Sequence, residues 1–275
     1  MIFILLILLC LLAAAALYQG LTVKHYTLRT EKLEHEISLC LLTDLHSVCW
    51  GKEQQTLLKK IAAMQPDAII LGGDIFDDKF SNALPPVEAL LKGIRGMAPI
   101  YFVTGSHDIW TWRMADWEKL LQSFGVTVLH GETVSVTLKG QTLHISGVDE
   151  PAASVPAGCM DETAFYRKSL TALSPIDPSV FNLLIAHRPE FIEDYAKPGF
   201  DLVVSGHCHG GQVRIPFLIN GLYAPGQGLF PKYAGGQYQV KDTTLIISRG
   251  LHRVWHLPRV FNRPEAVKIT LVPRK

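Results

Sequence analysis

What this sequence lacks narrows its chemistry first. It has five cysteines, Cys10, Cys40, Cys49, Cys159 and Cys208, an odd number with no Cys-x-x-Cys pair. Neither a disulfide framework nor a cysteine zinc site is supported by that usage. It also lacks an excess charge of one sign: 26 Lys and Arg against 25 Asp and Glu leave a net charge of +1, with the basic residues spread along the chain. An electrostatic nucleic-acid binder needs a clustered positive surface, so no nucleic-acid partner is expected. Internal repeats and low-complexity tracts are missing too, and the 275 residues read most simply as one large domain after a short N-terminal segment.

Uncharged apolar runs of any length are confined to one place. Ile2 to Leu17 carries no charge and is closed by Tyr18-Gln19-Gly20. At about 1.5 Å per residue it spans roughly 24 to 27 Å, within reach of a thin bilayer. The expectation is an N-terminal transmembrane helix as membrane anchor over residues 1–20, a linker or first peripheral strand over 21–36, and a domain over 37–275. A cleaved secretory signal is the rival reading, with Ala13 to Ala16 supplying small residues, but no Lys or Arg precedes the run as a signal peptide's n-region would require. Lys24 and Arg29 follow it, which favours a cytoplasmic side for the domain.

Within that domain, apolar runs alternate with segments of helical spacing. Ile37 to Leu42 reads as a buried strand, Glu53 to Met64 as a helix ended by Pro66, and Asp67 to Leu71 as a second strand. Pro85 to Arg95 and Ile100 to Val103 repeat the unit. Strand, helix, strand, helix, strand points to an α/β fold with a parallel sheet and right-handed crossovers. A helix is expected over Trp110 to Phe124, strands near Val126–Leu129, Thr133–Leu138 and Leu143–Val148, and a helix over Asp161 to Leu173. Phe181 to Ala186 and Leu202 to Ser205 are further strands, and the C-terminal part is strand-rich.

Five of the apolar runs stop at a metal-competent or polar cluster: Asp44/His46, Asp74, Ser106/His107/Asp108, His187 and His207/His209. An isolated His at a strand end is more often a satisfied core residue than a ligand. Equivalent strand ends converge on one edge of a sheet, however, so all five can meet in space. Carboxylates and imidazoles without thiolates suit manganese, iron or zinc in a mixed oxygen and nitrogen shell. Few ligands per ion leave positions open for water and substrate, as in two-metal hydrolases.

The order D-x-H, G-D, G-[N/S]-H-D, a lone His, then G-H-x-H resembles the calcineurin-like metallophosphoesterases. The Gly206 to Arg214 run, Ser248 to Leu251 and Arg263-Pro264-Glu265 are similar to the membrane-associated bacterial phosphodiesterase branch of that family, the YkuE/YaeI type. The resemblance implies a four-layer α/β/β/α metallophosphoesterase sandwich, here with an N-terminal transmembrane helix, located at a bacterial cell membrane. It implies two divalent metal ions, Mn2+ first with Zn2+ or Fe2+ as alternatives. Asp44, His46 and His209 would hold the first ion, Asp74 would bridge, and His187 and His207 would hold the second. A metal-bridging hydroxide would attack phosphorus in line. His107 would bind the phosphate and protonate the leaving oxygen, with Asp108 orienting its imidazole. The substrate would be a phosphoester, with a phosphodiester favoured. A lipid-linked one such as UDP-2,3-diacylglucosamine is one candidate.

One position departs from the family pattern: Ser106 stands where an Asn normally offers its amide oxygen to the second ion. A serine hydroxyl is shorter and weaker, so looser binding of that ion is expected. The alternative function is a metal-binding scaffold with weak or lost turnover, against which the retention of His107 and Asp108 argues. Arg188, Arg214, Arg249 and Arg253 are forked donors for phosphate oxygens, and Arg214 and Arg249 sit closest to site-like motifs as substrate-binding candidates. His252 and His256 stand where relatives usually carry smaller residues, as groups that narrow the cleft or read a substrate head group, or as surface histidines. Phe217, Leu218, Ile219, Leu222 and Tyr223 read by default as core, with an exposed patch for a lipid chain or membrane surface as the alternative.

Overall fold

The computed structural model describes residues 1–77, 84–151, 162–171, 173, 176–253 and 257–274. Twelve strands form two six-stranded mixed sheets. In the first, β2 (Ile37–Leu42), β3 (Ala68–Gly72), β4 (Ile100–Val103) and β5 (Val126–Val128) run parallel. The long C-terminal strand β14 (Glu265–Pro273) lies antiparallel against β2, and β1 (Thr22–Thr30) runs parallel to β14 at the edge. Residues expected as linker or peripheral strand thus include a nine-residue strand of the domain's own sheet.

The second sheet has the order β12 (Gly236–Val240), β13 (Thr243–Ile247), β9 (Leu202–Ser205), β8 (Phe181–Ala186), β7 (Gln141–Val148) and β6 (Thr133–Leu138). Its four inner strands are parallel and its two outer ones pair antiparallel by hairpins. A separate short hairpin is made by β10 (Tyr223–Ala224) and β11 (Gly228–Leu229).

Every residue of β2, β3, β4, β8, β9 and β13 is buried. Continuous apolar runs of this kind suit strands covered on both faces. Alternate side chains enter different layers: Leu39 and Leu41 of β2 face the second sheet with Ile70, Leu183, Ile185 and Val204. Cys40 and Leu42 face the helices instead, with Leu57 and Ile61 of α2 (Gln55–Met64) and Leu90, Leu91 and Ile94 of α3 (Leu84–Ile94). A third apolar cluster covers the outer face of the second sheet, where Leu184 and Val203 meet Tyr166 and Leu170 of the Glu162–Thr171 helix and Ile192 and Tyr195. Helices, sheet, sheet and helices are therefore stacked around three apolar layers.

The helix expected over 110–124 is α5 (Met114–Ser123), which begins four residues later, and a separate short helix, α4 (Ser106–Trp110), precedes it. Trp112 between them has φ of 55°, left-handed backbone that a continuous helix cannot contain.

The expectation for the N-terminus needs correction. Helix α1 (Ile2–Leu17) has 16 residues and ends where Tyr18 turns extended, at φ −67° and ψ 115°. At about 1.5 Å per residue it reaches about 24 Å, short of a hydrocarbon core of about 30 Å. No helix among the described residues is long and apolar enough to cross a membrane, so the transmembrane helix, the 1–20 anchor and the single-pass localisation are not supported. The end of α1 is instead tied to the C-terminal region: the Phe261 amide donates to Ala16 O at 2.7 Å, and Arg263 lies over the Tyr18 ring at 4.9 Å.

Candidate metal centre

The parallel strands of both sheets deliver their C-terminal ends to one edge, and the loops that follow are sewn together by backbone hydrogen bonds. Asp44 N donates to Gly73 O at 2.9 Å and His46 N to Asp74 O at 3.0 Å, which locks the loop after β2 to the loop after β3. Gly206 N donates to His187 O at 3.1 Å, joining the loops after β8 and β9. The two sheets are bridged where Leu251 N donates to Thr43 O at 3.0 Å. A Cβ on Gly206 would lie 2.5 Å from Asp44 Oδ2, so only glycine lets the two sheets' loops approach this closely.

The backbone here is unusual. Asp44, His46, Asp74, His207 and His209 all have positive φ, between 46° and 70°. Each such residue costs on the order of 1–3 kcal/mol unless its surroundings impose it. Five together, all at positions with metal-competent side chains, mark a site whose geometry is set by something other than folding ease.

The side chains fall into overlapping groups. His46, Asp74 and His107 form one, Asp74, His187 and His207 a second, and His46, His209 and His252 a third, with ligand atoms within 4.8 Å of one another in each group. Asp74 belongs to two groups and sits between two imidazoles: its Oδ2 lies 3.2 Å from His187 Nε2 and 3.6 Å from His46 Nε2. Its Oδ1 accepts from the His107 amide at 2.8 Å. His209 Nε2 lies 3.7 Å from Asp44 Oδ1. His187 Nδ1 makes a 2.8 Å hydrogen bond with Gly72 O. Donation of that Nδ1 proton leaves the Nε2 lone pair facing Asp74, as metal-binding imidazoles are usually oriented.

These residues fit metal ions on their own evidence. Asp44 Oδ2 and the Nε2 atoms of His46, His187 and His207 are buried without a hydrogen-bond partner among the described residues. Buried polar atoms are almost always satisfied, and four orphans pointing into one cluster call for a shared partner. The donor set of carboxylates and imidazoles without thiolate matches catalytic rather than structural metal chemistry.

Burial alone would raise the Asp74 carboxyl, but the imidazoles of His187, His46 and His107 outweigh it and hold Asp74 well below the usual carboxylate range. Burial pushes Asp44 up. Burial, with His187 beside it, lowers His207 to about 3, and burial with His46 and Arg259 lowers His209 well below its ordinary value. His187 goes the other way, to about 10, because the Asp74 charge overcomes its burial. Without an ion, the ionised Asp74 carboxylate is thus balanced by a protonated His187, a positive charge standing where a cation would take its place, while His207 and His209 stay neutral with free lone pairs.

Of the other expected residues, Ser106 is buried at the start of α4, next to His107. His107 packs edge-on against His46 with ring centroids 4.5 Å apart. Asp108 is fully buried, and its two oxygens are committed to backbone amides: Oδ2 accepts from Asp74 and Gly105, and Oδ1 from Phe76, each at 2.8 Å. It braces the loops after β3 and β4, a role the sequence did not reveal.

Arg249 Nε donates to Glu265 Oε2 at 2.6 Å, and its Nη2 also contacts that carboxylate. Arg214 Nη2 bonds Asn220 Oδ1, and both arginines line an open cleft of about 480 Å³ with Ile215, Phe217 and Leu218. Ile215, Phe217, Leu218 and Tyr223 are exposed, so this stretch is surface rather than core. Arg188 pairs with buried Glu150. His256 lies outside the described residues.

Three contributors were not foreseen. Asp77 places Oδ2 3.3 Å from His46 Nδ1, and its only sequence signal is its position three residues after Asp74. Arg259, 2% exposed, sits 3.2 Å from His209 Nδ1, and Asn262 donates to His209 O at 2.7 Å. Nothing in the local sequence around residues 259–262 signals either.

A family model for calcineurin-like phosphoesterases matches residues 37–211, which hold every expected metal ligand from Asp44 to His209. Among curated proteins, a bovine (Bos taurus) transmembrane protein with a metallophosphoesterase domain is 27% identical over 255 residues, 86% of this chain and 53% of that protein. YpbG of Bacillus subtilis is 27% identical over 257 residues, covering 92% of this chain and 88% of its own. The metallophosphoesterase YkuE of the same organism is 27% identical over 225 residues, 80% of this chain and 73% of its own. The chain thus spans about half the length of the bovine relative and most of the two bacterial ones.

Proposed function

This chain belongs to the calcineurin-like phosphoesterase family, and we propose that it hydrolyses a phosphodiester using two divalent ions held on either side of Asp74. The observation that carries the reading is the single carboxylate oxygen of Asp74 facing both His46 Nε2 and His187 Nε2, while the neighbouring ligand atoms lack partners of their own. Asp44, His46 and His209 would hold one ion and His187 and His207 the other, with Ser106 at the second ion's edge. When bound, ions so paired polarise a phosphoryl oxygen and make water a competent nucleophile near neutral pH.

The chain's own groups supply the rest. His107 lies against His46 and over the Asp74 loop, where its imidazole can donate a proton to a departing oxygen. Asp108 keeps Asp74 and Gly105 in register through their amides, so the carboxylate between the two imidazoles stays fixed. Leu45 and Trp50, on the loop that carries His46, and Leu251, next to His252, are buried together in one apolar cluster.

The exposed Ile215, Phe217 and Leu218 beside Arg214 and Arg249 favour a substrate with an apolar portion next to its phosphate, a lipid-linked phosphodiester being one such class. The full chain, assayed with manganese or zinc on a chromogenic phosphodiester and the matching monoester, tests the activity. Turnover of the diester that His107→Ala abolishes is expected. No turnover by the wild type with several metals would favour a metal-binding scaffold instead.

A further inference from the structure

Resting on the reading of this cluster as a two-ion site, we propose that His252 is an additional ligand of the first ion, giving that position three imidazoles, His46, His209 and His252. The three rings face one another: centroids are 4.5 Å apart for His46 and His252, 5.4 Å for His209 and His252, and 5.1 Å for His46 and His209. Each can present a ring nitrogen within 4.8 Å of the others, the spread expected around one ion.

His252 is also held in place. On one side Leu251 is fully buried, donating its amide to Thr43 O at 3.0 Å and accepting from Trp50 Nε1 at 3.1 Å. On the other side Arg253 lies over the Trp50 ring at 3.9 Å. A side chain fixed from both neighbours behaves as part of a built shell rather than as a mobile surface group. Two residues before it, Gly250 has φ of +75°, and a Cβ there would come within 2.6 Å of Asp44 Cβ. The loop after β13 is therefore pressed onto the first ion's position and carries His252 with it.

The consequence concerns metal choice. Imidazole-rich shells suit zinc, iron, copper and nickel, whereas carboxylate, carbonyl and water suit manganese and magnesium. With His252 the first position becomes nitrogen-rich, while the second has two imidazoles, the shared carboxylate and a serine. The two positions should differ in affinity and in selectivity, the first favouring zinc over manganese.

The test is calorimetric titration of the metal-free full chain with Zn2+ and separately with Mn2+, for wild type, His252→Ala and His252→Gln. Thermal melts of the metal-free proteins establish that all are folded. Wild type should take up two zinc ions, and both variants should bind one of the two at least about tenfold more weakly while keeping the other. The zinc-over-manganese preference should shrink at the weakened position. Cobalt spectra of the same proteins should differ in their visible bands, because the count of nitrogen ligands has changed. Two ions bound with unchanged affinity in both variants would overturn the role of His252 alone. Equal weakening at both positions would overturn it too, since that marks a general disturbance. Failure of the wild type to bind two ions would overturn the two-ion reading and this inference together.

Discussion

Replacing Glu265 by Ala separates two roles for Arg249, a brace and a substrate contact. Glu265 is fully buried and Arg249 is 19% exposed. The carboxylate accepts from Arg249 Nε at 2.6 Å and from the Arg249 amide at 3.1 Å, besides contacting Nη2. Truncation leaves a half-buried guanidinium without its counter-charge and an amide without its acceptor. Breaking one partner of a buried pair costs roughly 3–5 kcal/mol, and the partial exposure of Arg249 places the expected loss at the lower end, about 3 kcal/mol. Glu265→Gln keeps one oxygen acceptor and loses the charge, so about half of that is expected, in line with about 1.5–3 kcal/mol for a hydrogen bond to a charged group. Because Gly250 follows Arg249 and abuts Asp44, the loosened loop should also weaken the first ion. Urea unfolding of the metal-free chain gives the stability change, and a double-mutant cycle with Arg249→Met isolates the pair. A Glu265→Ala protein within 1 kcal/mol of wild type, by the order-of-magnitude scale for exposed pairs, would refute the bracing role and return Arg249 to substrate binding.

Other outcomes follow from single contacts. Ser106→Asn restores an amide oxygen at the second ion and should tighten it about tenfold, read by metal titration; equal affinity in the two proteins would sink the idea. His130 lies 2.8 Å from Asp149 and 3.4 Å from Glu118, and chiefly the Asp149 contact lifts its imidazole from 6.5 to about 9. A raised folded-state value stabilises fully below 6.5, fades through the interval and is gone above about 9. His130 is well exposed, so screening limits the effect to about 0.5–1 kcal/mol. Wild type and His130→Gln should therefore differ in urea midpoint at pH 6 and coincide at pH 10. Chelation should lower the melting temperature of the loaded protein, since each ion present at a hundredfold excess over its own Kd contributes about 2.7 kcal/mol.

Much of the site can be read from the sequence because its candidate ligands terminate apolar runs. Asp44, Asp74, His187 and His207 each follow a strand whose every residue is buried, and parallel strands in both sheets send those ends to one edge. The residues that escape such reading act across chain segments. Asp108 was legible as a motif, yet its bracing of Asp74, Phe76 and Gly105 depends on how two loops meet. His252 follows β13 in a run that looks like surface, and contacts distant in sequence, Leu251 with Thr43 and Trp50 and Gly250 with Asp44, carry it to His46. Arg259 and Asn262 reach His209 from 50 and 53 residues away. For residues 1–20 the extent of the apolar helix, Ile2–Leu17, agrees with the sequence, and what fails is the inference from it: 16 residues are too short to cross a membrane.

The most direct measurement is anomalous diffraction from crystals of the full chain grown with zinc, collected on either side of the zinc edge. Two peaks are expected flanking the Asp74 carboxylate, one between His46 and His209 and one between His187 and His207. A single peak, or peaks confined to surface histidines with the Asp74 cluster empty, would contradict the two-ion site.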